Sequence, residues 1–131
     1  MLRLRPSGGR KKLAAEGAFG PTPFMQICLG TGYGGAPATP AALAAMRERI
    51  PVGTVWAAFA AGEDNLWVMR AAVAGGGHVR AGLEDALFDA AGKPTTNAAL
   101  LSSGVETIRS AGGRPATPAE ARAILGLPAS T

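Results

Sequence analysis

Gly75-Gly76-Gly77-His78-Val79-Arg80-Ala81-Gly82-Leu83-Glu84-Asp85 is a glycine-led apolar run that carries one arginine out to two adjacent carboxylates. Small and apolar residues alternate and then stop at polar ones, which predicts a short buried strand over 78–83 ending in a loop. In α/β architectures the chemistry collects at the C-terminal ends of such strands. Side chains alternate along a strand, so Arg80 and Glu84 share a face while the geometry stays extended, and Asp85 points away. A turn at Gly82 or Leu83 would bring all three together. Read from spacing alone, Glu84 and Asp85 are better explained as a helix-start or loop acid pair that salt-bridges Arg80.

Moving outward, the run is the third of three similar units. Phe24-Met25-Gln26-Ile27-Cys28-Leu29 reads as a first buried strand. It is followed by Gly30-Thr31-Gly32-Tyr33-Gly34-Gly35, a glycine-rich loop that could bring backbone amides near an anion. Its spacing matches neither a dinucleotide fingerprint nor a Walker loop, so a mobile substrate loop and a plain turn both remain open. Thr39-Pro40 starts a helix over 41–49, with the threonine as cap and proline in the first turn. The second strand, over 54–61, is almost continuously apolar, as expected for a parallel strand covered on both faces, and Gly62 closes it. Asp64 is placed to cap a helix over 65–74, in which Trp67 reads as a packing residue.

Beyond the third strand, residues 88–94 read as an irregular loop and 98–111 as a helix ended by Gly112-Gly113. Thr117-Pro118-Ala119-Glu120 is a capping box for a last helix that stops at Gly126, with Leu125 and Leu127 expected to pin it to the body. Strands alternating with helices predict an α/β fold of parallel βα repeats.

The 131 residues suit one domain, and 47% hydrophobic content with few aromatics predicts a core of many small contacts. A good part of the net charge of +4 comes from Arg3, Arg5, Arg10, Lys11 and Lys12. Residues 1–12 read as a disordered basic tail, and 13–17 as the last turn of a helix capped by Gly17. Basic residues without interleaved aromatics or a recognisable motif argue against nucleic-acid binding. The single cysteine, Cys28, excludes an internal disulfide and points to a reducing, cytoplasmic setting. No run approaches the apolar length of a membrane span, and the start lacks the apolar stretch of a secretory signal.

The motif of residues 76–85 is accompanied by Gly32-Tyr33-Gly34-Gly35 with Thr39-Pro40, by Trp56, by Thr96-Asn97, and by Ala116-Thr117-Pro118-Ala119-Glu120-Ala121-Arg122 ahead of Leu125-Gly126-Leu127. With these residues the chain, over about 13–127, resembles the β-keto acid cleavage enzyme family of the 3-keto-5-aminohexanoate cleavage type, known from lysine fermentation. The resemblance implies a TIM (β/α)8 barrel, which takes about 250 residues. Residues 13–131 would then be its C-terminal portion, with about three strands and flanking helices, and the chain a truncated or split product.

The resemblance further implies a metal-dependent transferase that turns a 3-keto acid and acetyl-CoA into acetoacetate and a new acyl-CoA. Its metal would be zinc, with Glu84 as a ligand, Asp85 as the base and Arg80 acting beside it; Gly32, Gly34 and Gly35 would line the substrate. A divalent ion of this kind polarises the keto oxygen. The family's other ligands are a His-x-His pair from the N-terminal half. This chain has one histidine, His78, which reads as structural, so the chain alone is expected to be inactive. Two readings from other classes stand beside it. One is a non-catalytic remnant or interaction module that self-associates as a homo-oligomer or docks on a complementing barrel half. The other, a nucleotide-binding module, rests only on the glycine loop.

Overall fold

A computed structural model describes residues 12–13, 15–18, 22–32 and 34–129. Three strands, β1 (Phe24–Leu29), β2 (Val55–Ala60) and β3 (His78–Val79), form one parallel sheet in the order β1-β2-β3. The helices are α1 (Pro40–Arg47), α2 (Asn65–Ala74), α3 (Asn97–Ser110) and α4 (Pro118–Ile124). A 3-10 turn, Gly62–Asp64, leads into α2. Each strand is followed by a helix, which confirms the repeated βα reading. Apart from Lys12, the expected basic tail lies outside the described residues. Gly17 has φ +72°, and Ala18 N–H donates to the Leu13 carbonyl, the closure expected of a glycine-capped helical turn.

Register decides which side chains meet. β1 and β2 pair Ile27 with Ala58 and Leu29 with Ala60, and these inward residues pack with Trp56, Leu43, Val68 and Ala72 into the core. Leu29, Val68, Ala58 and Ala60 are completely buried under α1 and α2. Small side chains in β2 let the helices approach closely, and the aromatic bulk comes from Trp56, with Trp67 of α2 packed against the cluster as its sequence position predicted. Gly77 makes room for Trp56: a Cβ there would lie 2.7 Å from the Trp56 ring. The Arg47 guanidinium lies 5.5 Å from the centre of the same ring.

The alternate residues of the strands, Phe24, Gln26 and Cys28 on β1 with Ala57 and Phe59 on β2, face the other way. Among the described residues no helix covers that face. Phe24 is 44% exposed there, and Gln26 and His78 are exposed too. His78 is therefore a solvated residue at the start of β3 and not a packed structural one.

Several local expectations need correction. The third strand stops at Val79 and does not run to residue 83, because Leu83 N–H donates to Asn97 Oδ1 (2.9 Å) and Asp85 N–H to the Gly82 carbonyl (2.9 Å). Asp64 stands at the start of α2, but its carboxylate accepts from Trp67 Nε1 (2.7 Å) and caps no backbone amide. Residues 88–94 are a loop, as expected, tied together by local bonds: Phe88 bridges Pro94, and Asp89 Oδ1 accepts from the amides of Ala91 and Lys93. Leu127 is 51% exposed and no residue of α4 is buried, so Leu127 does not pin the last helix, while Leu125 is half-buried. Its capping box does form, with Thr117 and Glu120 bonding each other's amides.

Candidate functional site

Where β3 ends, the backbone turns over Gly82, with Asp85 and Ala86 amides both donating to its carbonyl. That turn reverses the alternation of an extended strand and swings Asp85 inward. Its carboxylate is 4% exposed and accepts from Arg80 Nε at 3.0 Å, while Glu84, 71% exposed, pairs with Arg80 Nη2. The three sequence-predicted residues thus converge on one guanidinium. A second bond anchors the turn from outside: Gly62 N–H donates to the Asp85 carbonyl at 2.7 Å. Gly62 has φ +83°, a conformation that favours glycine at the end of β2. The β2 terminus is in turn held by Asn65, whose buried Oδ1 accepts from Ala60 N–H at 3.0 Å.

Two residues that the sequence reading missed complete the surroundings of Arg80. Gln26 Oε1 accepts from Nη1 at 3.2 Å, and the Phe59 ring centre lies 4.1 Å from Cζ. Gln26 and Phe59 stand in β1 and β2, on the face that carries Arg80. The available signal was the two-residue alternation inside strands that otherwise look uniformly apolar. Cys28 belongs to the same face. Burial pushes its thiol pKa up, the neighbouring Asp85 carboxylate adds to that, and the Arg80 guanidinium pulls it back down.

The glycine loop lies at the matching end of β1. It is closed by Gly30 N–H donating to the Ala36 carbonyl at 2.9 Å. Gly34 adopts φ +71°, and a Cβ on Gly35 would collide with Thr31. Gly32 is exposed. Gly34 and Gly35 are thus needed for the turn itself, whereas a side chain at position 32 would meet open space, and among the described residues no hydrogen bond joins these glycines to Arg80, Glu84 or Asp85. The structure groups Arg80, Glu84 and Asp85, and leaves Gly32, Gly34 and Gly35 as a separate loop.

A catalytic zinc takes three protein ligands. Among the described residues no three His, Cys, Asp or Glu side chains are grouped to hold a metal ion. Glu84 is the one exposed carboxylate at the turn and already pairs with Arg80, while Asp85 is buried on the same guanidinium. The residues present therefore do not fit a zinc ion unaided.

Among the described residues no helix is long and apolar enough to cross a membrane. A concavity of about 690 Å³ lies between α2, α3 and the 86–92 segment, and its lining includes none of Arg80, Glu84 and Asp85.

Comparison with known proteins adds the family. The chain is 36% identical over 117 residues to the 3-dehydrocarnitine:acetyl-CoA trimethylamine transferase of Rhizobium meliloti, covering 89% of this chain and 39% of that protein. It is 33% identical over 117 residues to the 3-keto-5-aminohexanoate cleavage enzyme of Acetoanaerobium sticklandii, covering 88% of this chain and 42% of the relative. With the 3-oxoadipate:acetyl-CoA acetyltransferase of Cupriavidus necator it shares 41% identity over 83 residues, 62% of this chain and 29% of the relative. The chain thus spans about two fifths of the length of the first two of these relatives. A family model described as beta-keto acid cleavage enzyme matches residues 9–127, nearly the whole sequence, and the chain belongs to that family.

Proposed function

We propose that this chain supplies the Arg80-Glu84-Asp85 turn of an acetyl-CoA-dependent β-keto acid cleavage site, within the C-terminal portion of a TIM barrel. The overall reaction is transfer: a 3-keto acid and acetyl-CoA give acetoacetate and a new acyl-CoA. The observation that carries this reading is the convergence of both carboxylates on Arg80 at the C-terminal end of a parallel strand. Family membership and the names of the relatives, two of which specify acetyl-CoA, support it.

Each residue has a role that its surroundings suit. Joining a keto acid to a thioester requires loss of a proton from the carbon beside the keto group, and Asp85 is the base. Its Oδ2 is taken by Arg80, which leaves Oδ1 to receive the proton. Arg80 has five N–H donors and gives one each to Asp85, Gln26 and Glu84. The remaining two face the negative charge that develops on substrate oxygen once the proton has left. Glu84 is the carboxylate the chain offers to the family's divalent metal, whose remaining ligands come from outside the described residues. The glycine loop at Gly32, Gly34 and Gly35 borders the substrate from the end of β1.

The test is a chimera. Residues 22–127 replace the matching segment of the Acetoanaerobium relative, and acetoacetate formation is followed with a panel of 3-keto acids. Turnover that falls by about a hundredfold or more in Asp85→Asn supports the assignment of the base. A chimera without turnover, or one that Asp85→Asn leaves unchanged, refutes it.

A second reading, an interaction module, draws on the open sheet face with its half-exposed Phe24. In that case the same face meets the remaining strands of a barrel or a second copy of the chain, and no chemistry follows.

A further inference from the structure

We propose that Gln26 and Phe59 are positioning residues for Arg80, holding its guanidinium from two different strands so that its free donors point in one fixed direction. The proposal rests on the reading of Arg80 as a group of the reaction site.

An arginine side chain carries about 2 kcal/mol of rotamer entropy, so an arginine held by local contacts alone would sample several orientations. Two of the contacts are local. Glu84 lies four residues away and is 71% exposed, and Asp85 engages Nε, the atom nearest the backbone. Nε is the pivot of the guanidinium plane, and a bond there leaves the far end to swing. The far end is fixed by residues remote in sequence: Gln26, 54 residues earlier, accepts from Nη1, and Phe59 lies under Cζ.

The parallel register explains how they arrive. Gln26 pairs with Ala57 and Ala57 with His78, so Gln26, Phe59 and His78 fall on one face of the sheet, and Arg80, one residue beyond the end of β3, reaches Gln26 and Phe59 on that face. Arg80 is thus the point at which all three βα units meet.

The chemistry of the two residues suits positioning. A glutamine amide accepts a hydrogen bond without adding negative charge, whereas a third carboxylate beside Glu84 and Asp85 would deepen the negative surroundings of the guanidinium and weaken its pull on an anionic substrate. The Phe59 face contributes attraction through its quadrupole and, being 9% exposed, acts as a fixed wall. Neither residue needs to touch substrate.

The experiment uses the full chain and does not depend on turnover. In 15N-labelled protein, a guanidinium fixed at both ends rotates slowly about Nε–Cζ and shows separate Nη1 and Nη2 resonances, assigned to Arg80 by their loss in Arg80→Lys. A second readout is alkylation of Cys28, the single thiol of the sequence, which shares the face and whose pKa, raised by burial and by Asp85, is partly drawn back by Arg80. In Gln26→Met and Phe59→Leu the Nη resonances should merge, and iodoacetamide labelling at pH 8 should slow by about two- to threefold as the cation moves away. Phe59→Tyr, which keeps the ring face, should retain both properties. Merged resonances in the unsubstituted chain overturn the proposal even if a variant fails to fold, and a folded variant that changes neither readout removes that residue from the assignment. A chimera without turnover leaves the Arg80 resonances untouched, so the two readings fail separately.

Discussion

The two faces of the sheet are built from the same three strands and do opposite things. On the helix-covered face, Ile27, Leu29, Trp56, Ala58 and Ala60 are buried against α1 and α2 and fill space. On the open face the alternate positions carry an amide, a thiol, an aromatic ring and an arginine, and two carboxylates arrive there through the turn at Gly82. Strand pairing fixes both faces at once, since a one-residue slip would exchange them. The covered face holds the register, and the open face uses that register to gather groups from distant parts of the sequence.

The strongest way to break this division is to damage the covered face. Leu29 is fully buried, and Leu29→Ala should cost about 2–5 kcal/mol in urea unfolding, whereas Phe24→Ala, on the open face of the same strand, should cost about 1 kcal/mol or less. Equal losses at the two positions would mean that the open face is covered in solution. A smaller effect is expected at Gly77, where an added side chain must displace the Trp56 ring. Gly77→Val should lower stability by about 1–3 kcal/mol and disturb Trp56 fluorescence.

The repeated βα units, the caps at Thr39 and Thr117 and the trio Arg80, Glu84 and Asp85 were legible because each depends on neighbours within a few residues. What the sequence hid is non-local. The third strand looked longer than it is because the competing partner of Leu83, the Asn97 side chain, stands 14 residues further on. Gln26 and Phe59 were invisible as site residues because only the register of three strands brings them to Arg80. Leu127 read as a packing residue from its side chain alone, but α4 has no buried residue for it to extend. The family resemblance supplied roles for Arg80, Glu84 and Asp85 that spacing left open between chemistry and a plain ion pair.

The smallest effect belongs to neither face and serves as a control. On α4, the bidentate pair with Arg114 and the Thr117 amide hold the Glu120 carboxyl well below the usual carboxylate range. A depressed folded pKa contributes stability that is present above the unfolded value and is lost as pH falls through the folded one. Acid should therefore leave the Thr117 cap formed through the ordinary carboxylate range at about pH 4 and loosen it only well below that, followed by the amide shifts of Thr117 and Glu120, while β1 and β2 amides stay unchanged. Coupled changes in the strands would show that α4 supports the sheet after all.

The central claim is that the open face supplies one carboxylate, Glu84, to a metal site that these residues do not complete. The most direct measurement is zinc stoichiometry of the purified chain and of the chimera that joins residues 22–127 to the Acetoanaerobium relative. The account predicts no stoichiometric zinc on the chain alone, one zinc per chimera, and loss of that zinc in Glu84→Gln but not in Asp85→Asn. Tight stoichiometric zinc on the isolated chain, or a chimera that keeps its zinc in Glu84→Gln, would contradict it.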